Sequence, residues 1–161
     1  MAIWVCRTGP SGQFSTLFFE NQAIYLTRDG LAFDLKEAEK VAVLNSLSEL
    51  LPGAAKQTIS NTWSQIDIFA NRMRIGDTVI VPKKNSMLIS VGVITGSYHY
   101  EEDEKYPLQH SRKVKYIAHD INTNNFPQDI KYSLGAFRTI FSVKQEERLL
   151  NELTKEGVVF P

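Results

Sequence analysis

Glycine-bounded turns, one cysteine, three histidines and a run of acids are the places where this chain could do chemistry. A phosphate-cradling loop needs a glycine-rich turn ending in Gly-Lys-Ser/Thr, so that backbone N–H groups and a lysine surround the phosphates. Neither Gly9-Pro10-Ser11-Gly12 nor Gly92-Val93-Ile94-Thr95-Gly96 supplies the lysine. A nucleophilic cysteine needs exposure and an imidazole partner, whereas Cys6 alternates with Ile3 and Val5 in a strand-like run and reads as a core side chain. His99, His110 and His119 lie eleven and nine residues apart, a spacing that does not aim several ligands at one ion. No metal and no cofactor is expected. Restriction-type nucleases hold a cation with an acid and a Glu/Gln-x-Lys triad on a hydrophobic strand. The nearest string, Glu102-Asp103-Glu104-Lys105, sits in a polar stretch and reads as a solvated turn. No catalytic set emerges, and the expectation is a binding module rather than an enzyme.

Binding has better material. Aromatic residues make up 11% of the chain. Trp63 falls beside Ser64 on what reads as the first turn of a helix, where backbone N–H groups lack partners. Tyr98 and Tyr100 bracket His99, and Tyr106 follows the acidic run. Such rings can sandwich a planar base, each stacked base contributing ~1–3 kcal/mol. Helical spacing alone equally allows Trp63 to be the first core residue of an amphipathic helix. Net charge is zero, from 18 basic and 18 acidic residues, which argues against non-specific coating of nucleic acid. The charge is nonetheless segregated. Arg72, Arg74, Lys83 and Lys84 face only Asp77 within 71–84, and Lys105, Arg112, Lys113 and Lys115 stand without an acid in 105–116.

The elements that must position these residues follow from periodicity. Residues 2–7 read as a strand stopped by the turn cluster 8–12, 14–20 as a short helix and 23–27 as a strand. Asp34 with Glu37 resembles a capping box for a helix through Leu35, Ala38, Val41, Leu44 and Leu47, ended by Pro52-Gly53. A second helix is expected from Ser60 or Asn61 through Trp63, Ile66, Phe69 and Met73. Strands then follow at 78–82, 88–95, 97–100, 113–118 and 139–143, with a turn at Asn85-Ser86, before a last helix over 144–155 with Gly157 as its C-cap. The order predicts an α+β fold with a curved, mostly antiparallel sheet or small barrel. With 161 residues, 43% of them apolar, the chain reads as a single domain, 1–161, able to fold without disulfides. A lone cysteine, the lack of a signal peptide and the lack of any apolar run near ~20 residues point to the cytoplasm. The abrupt end at Val158-Val159-Phe160-Pro161 suggests one module of a longer protein.

The ordered set of motifs resembles the PUA-like superfamily of modified-base readers, its EVE and YTH branches, and above all the EVE-like N-terminal domains of Mrr-type restriction endonucleases. IWVCRTG (3–9) looks like their first strand and turn, SNTWSQIDIFANRMRIGDTVIVP (60–82) like their helix and the Gly-Asp step into a strand. ISVGVITGSYHY (89–100), RKVKYIAHDINTNNF (112–126) and SLGAFRTIFSV (133–143) are similar to the segments that follow. The resemblance implies a five- to six-stranded barrel-like sheet with helices outside. It further implies an aromatic cage for a nucleobase flipped from double-stranded DNA, in a modification-dependent restriction system whose nuclease lies on another domain or partner. The modification would be of the 5-methylcytosine or 5-hydroxymethylcytosine kind. Carried over, Trp63 forms one wall with Ser64 beside it, and one of Tyr98, Tyr100 or Tyr106 the other. Thr8, Ser11 or Gln13 addresses the base edge, and Arg7 a phosphate. Unstacking a base costs a few kcal/mol, so phosphate contacts from Lys83, Lys84, Arg112 and Lys113 are expected beside Arg7. The chain departs from the YTH pattern by offering tyrosines in place of a second tryptophan, and from typical EVE domains by lacking their Gly-Val-Arg-Asn string. An RNA reader of the same fold and a peptide-binding domain are the alternatives.

Overall fold

In the computed structural model, which describes residues 1–136 and 138–161, seven strands form one mixed sheet. Phe137, part of the motif at 133–143, lies outside the described residues. The strands are β1 (Ile3–Cys6), β2 (Ala23–Tyr25), β3 (Thr78–Pro82), β4 (Leu88–Ile94), β5 (His99–Tyr100), β6 (His110–Asn122) and β7 (Ile140–Ser142). The helices are α1 (Ser15–Glu20), α2 (Lys40–Leu50), α3 (Lys56–Asp67), α4 (Gln128–Leu134) and α5 (Glu146–Lys155), and α3 runs into a π-helical turn, Ile68–Arg72. The α+β class and the curled sheet are as expected. Strand order is β2-β6-β4-β3-β1-β7, with β5 also on β6. All pairings are antiparallel except β1 with β3, whose register sets Trp4 against Val79.

The central strands are buried on both faces, so they read as apolar runs rather than alternating ones. Alternate side chains enter two cores. Trp4, Cys6, Val79 and Val81 join the cluster under α1, α2 and α3, while Ile3, Val5 and Ile80 join the one under α4 and α5. Cys6 is fully buried and its thiol is pushed up to about 12 by that burial, which keeps it unreactive. Asp77 ties the strand entry together, its carboxylate accepting from Trp4 Nε1 at 2.8 Å and from the Arg74 N–H at 2.9 Å.

Several boundaries differ from the expectation, each for a local reason. Asp34 does not cap α2. It accepts the Lys36 N–H at 3.0 Å in a tight turn, and the Leu35 N–H donates to Tyr98 Oη at 3.1 Å, so a core contact holds this segment out of the helix. Helix α3 begins at Lys56, four residues before Ser60, which puts Trp63 in its third turn instead of its first. The π-helical turn frees main-chain carbonyls that a continuous α-helix would have used. Strand β6 extends far beyond 113–118, because two extra residues bulge out of its pairing with β4 and break the alternation. Helix α4 was not expected. Pro127 at its start and the Ile130/Leu134 pair four residues apart were its signals.

Candidate functional site

At one end of the sheet the β3–β4 turn stands between two clefts. The turn is built by Asn85 in the left-handed region (φ 58°) and by Ser86, whose hydroxyl donates to the Lys83 carbonyl and accepts the Leu88 N–H. It holds Lys83 and Lys84 exposed at the tip. The larger cleft, about 510 Å³, lies between the turn and the C-terminal end of α4, and is lined by Arg7, Met87, Thr123, Lys131 and Leu134 among others. The smaller, about 340 Å³, lies between the turn, α1 and the β6 bulge, and is lined by Gly12, Ser15, Phe19, Ser90 and Asp120 as well as the two lysines.

Close approach of the β1–α1 loop to the turn depends on Gly12. It sits at φ +67°, and a Cβ there would come within 2.6 Å of the Lys84 Cβ, so any side chain would push loop and turn apart. Phe19 is fixed edge-on by Tyr116 at 5.1 Å and His119 at 4.9 Å between ring centres. The β6 bulge carries Asp120 at φ 55° and presents it to the cleft, while Ser90 Oγ shares a 2.9 Å hydrogen bond with His119 Nδ1. The smaller cleft therefore combines a pre-positioned aromatic ring, two hydroxyls and a carboxylate. Among the described residues no carboxylate lies within 4.0 Å of Lys83, Lys84 or Lys131. Such a surface can bind a planar polar group beside an anion.

The residues named from sequence divide between this end and the rest of the fold. Thr8, Ser11 and Gln13 belong to the loop beside the smaller cleft but do not line it. Thr8 is buried with its carbonyl accepting the Phe14 N–H, and Gln13 Oε1 accepts the Ser11 N–H at 2.9 Å. Arg7 borders the larger cleft, yet its guanidinium donates to the carbonyls of Leu134, Ala136 and Arg138, so it clamps the chain after α4 instead of waiting for a phosphate. Burial lowers its pKa. Arg112 is removed from the phosphate set outright. It is 4% exposed, and Nε, Nη2 and Nη1 donate to the carbonyls of Phe69 at 2.7 Å, Ala70 at 3.2 Å and Gly96 at 3.4 Å. It satisfies the carbonyls that the π-helical turn releases. Lys113 is exposed but lines a shallow cleft with Glu20, Thr95 and Lys115, on another part of β6.

No aromatic cage forms around Trp63. Among the described residues no ring pairing joins it to a tyrosine, and the Lys40 ammonium covers its face at 4.1 Å. It is half-buried against the first core, beside a small cavity of about 160 Å³. Ser64, one residue on and turned by about 100° around the helix axis, faces a different cleft near β7. Tyr98 is buried edge-to-face on Phe69, its O–H bonded to His110 Nδ1 at 2.7 Å, and burial raises its pKa. Tyr100 stacks on His110 at 5.1 Å, and Tyr106 packs on Phe14 with its O–H donating to the Thr27 carbonyl. The cleft residues missed from sequence are Ser15, Phe19, Ser90, Asp120 and Lys131. Only the bulge, visible as the polar pair His119-Asp120 between Ala118 and Ile121, left a trace that could have been read.

Comparison with known proteins adds the family. A family model described as Domain of unknown function (DUF8426) matches residues 8–143. The chain belongs to this family. The matched span contains the whole lining of the smaller cleft and all of that of the larger one except Arg7, and it stops short of α5. No curated protein matches the chain. Among solved structures, the chain is similar to the crystal structure of protein Atu2648 from Agrobacterium tumefaciens, with a TM-score of 0.46 and 13% identity over 100% of this chain and 97% of that one. Among the described residues no helix is long and apolar enough to cross a membrane, and no group of three or more His, Cys, Asp or Glu side chains could hold a metal ion.

Proposed function

We propose that this chain is a reader of a modified base in DNA, and that the reading takes place in the smaller cleft at the β3–β4 turn and not around Trp63. The observation that carries the reading is a cavity of about 340 Å³ with an aromatic wall and polar edge groups, opening beside two lysines that have no carboxylate within 4.0 Å among the described residues. Its volume falls within the range of small-ligand pockets, roughly 300–1,000 Å³. A base turned out of the duplex would lie against Phe19. Its exocyclic amino group would donate to the Asp120 carboxylate, the pairing by which acidic side chains select cytosine, and Ser15 and Ser90 would meet the remaining edge. Unstacking a base costs a few kcal/mol, and Lys83 and Lys84 on the flanking phosphates would offset it. A single methyl group adds about 0.8 kcal/mol when buried, so discrimination requires the walls to fit closely around it. The PUA-like form of the sheet, a cytoplasmic location and a place in a restriction system with a separate nuclease complete this reading.

The test is a titration of paired duplexes that differ only in one methylated or hydroxymethylated cytosine, with matching RNA as a further arm. Wild-type protein should prefer one modified DNA, and Phe19→Ala should lose roughly five- to a hundred-fold in affinity for it. Equal affinity for every duplex, or full retention of preference in Phe19→Ala, would overturn the proposal. A preference confined to RNA would move it to the RNA reading.

A further inference from the structure

A third cleft, about 500 Å³, lies along the β7 edge of the sheet. It meets the end of α4 and the chain that follows from the other side: Leu134 and Gly135 line the larger cleft at the β3–β4 turn, Ser133, Ala136 and Arg138 this one. Its floor is apolar, from Ile68 and Phe141, both nearly buried. Hydroxyls of Ser64, Ser133 and Ser142 stand along its sides. Arg72, Arg138 and Lys144 reach it, and all are exposed. No acidic residue lines the cleft, and among the described residues no carboxylate lies within 4.0 Å of any of these cations. In a chain of net charge zero this is a marked concentration. The acids gather elsewhere, in the 101–104 loop and on α5 from Glu146 onward.

We propose that the β7-edge cleft is a phosphodiester track, which takes the backbone of the nucleic acid whose base enters the smaller cleft at the β3–β4 turn. The inference rests on the DNA-reading proposal. Cations without carboxylate partners, of which Arg72 also lies over the Trp4 ring, suit a chain of phosphates when they stand beside hydroxyl groups, since each contact releases condensed counterions from the nucleic acid and positions it without reading its sequence. The clamp of Arg7 on the carbonyls of Leu134, Ala136 and Arg138 keeps the β7-edge cleft in fixed relation to the larger cleft, which shares Lys83 and Lys84 with the smaller, base-reading one, so that one strand can pass along all three.

The test uses the full chain, a duplex longer than one helical turn and a trinucleotide carrying the preferred modified base. Replacing Arg138 and Lys144 together by Ala should reduce the slope of log affinity against log salt by about two on the duplex and weaken binding at least tenfold. On the trinucleotide it should change nothing. Lys36→Ala with Lys56→Ala, an equal loss of charge far from the cleft, should leave both affinities as they were. An unchanged salt slope in Arg138→Ala/Lys144→Ala, an equal loss in the Lys36/Lys56 control, or competition by polyglutamate as strong as that by unmodified duplex would overturn the track. If the slope falls as expected while no base preference exists, the track stands and the base-reading proposal fails. If base preference on the trinucleotide persists with an unchanged slope, the reverse holds.

Discussion

Lys83 and Lys84 project from the β3–β4 turn with no carboxylate within 4.0 Å among the described residues, whereas at the β5–β6 end Arg112, His110 and Tyr98 direct their polar atoms into the protein. Both ends carry cations in sequence, Lys83-Lys84 at one and Arg112-Lys113 at the other. At the β5–β6 end every nitrogen of the Arg112 guanidinium has a carbonyl partner. His110 Nε2–H donates to the Leu31 carbonyl at 2.6 Å and Nδ1 accepts from Tyr98, while the Tyr98 oxygen accepts the Leu35 N–H. This network pins the 31–38 segment to the sheet. A cation is available to a ligand only where the fold leaves its donors unengaged, and that condition separates the two ends.

The largest effect that would sharpen the contrast is expected at Arg112. Arg112→Met removes the donors of buried carbonyls, each orphaned carbonyl costing about 1–3 kcal/mol. Chemical denaturation should show the loss, and DNA affinity of the protein that remains folded should be unaltered. A normal unfolding midpoint with weakened binding would return Arg112 to the phosphate set.

Next in size is Trp63→Ala. With the ring half-buried against the core, the truncation should destabilise by roughly 2 kcal/mol, below the ~3–5 kcal/mol of a fully buried aromatic. Preference for a modified base should survive it. Loss of that preference with an unshifted melting temperature would bring the reading site back to α3.

Lys83→Ala with Lys84→Ala should act in the opposite manner to Arg112→Met. Thermal melting stays constant, and affinity for modified and unmodified duplexes falls together by roughly tenfold, with the salt slope reduced by about two. A loss selective for the modified duplex would assign the lysines to base reading.

The smallest effect is the pH dependence of the His110 network. Burial lowers the His110 pKa, against the opposing pull of its bond to Leu31, so the folded protein holds this ring neutral below the pH at which the unfolded chain protonates it. Its contribution is whole above the unfolded value of about 6.5. As pH falls from there the unfolded state gains a proton that the folded state does not, and stability declines by no more than about 1.4 kcal/mol per pH unit until the folded pKa is reached. Denaturation midpoints between pH 7 and 5 should show this slope in wild type and a shallower one in His110→Gln. Equal slopes would remove His110 as the cause.

Periodicity and turn residues sufficed for the α+β class, for the order of most strands and for the burial of Cys6, since alternation and glycine-proline turns act over a few residues. The same local signals placed the Gly12 loop and the Lys83-Lys84 turn at element ends, where cations stay in water. They could not say that Gly12 would lie against Lys84, that a bulge would turn Asp120 into the space next to Phe19, or that the third turn of α3 would carry Trp63 away from every tyrosine. Nor could they show that Arg112 is occupied, because its partners at Phe69, Ala70 and Gly96 lie 16 to 43 residues away, and the first two belong to a π-helical turn that an ordinary helical pattern conceals. Residue type sets what a side chain can do, but whether its donors face solvent or a distant carbonyl is settled by pairings between segments far apart in sequence, and those exist only once the sheet has formed.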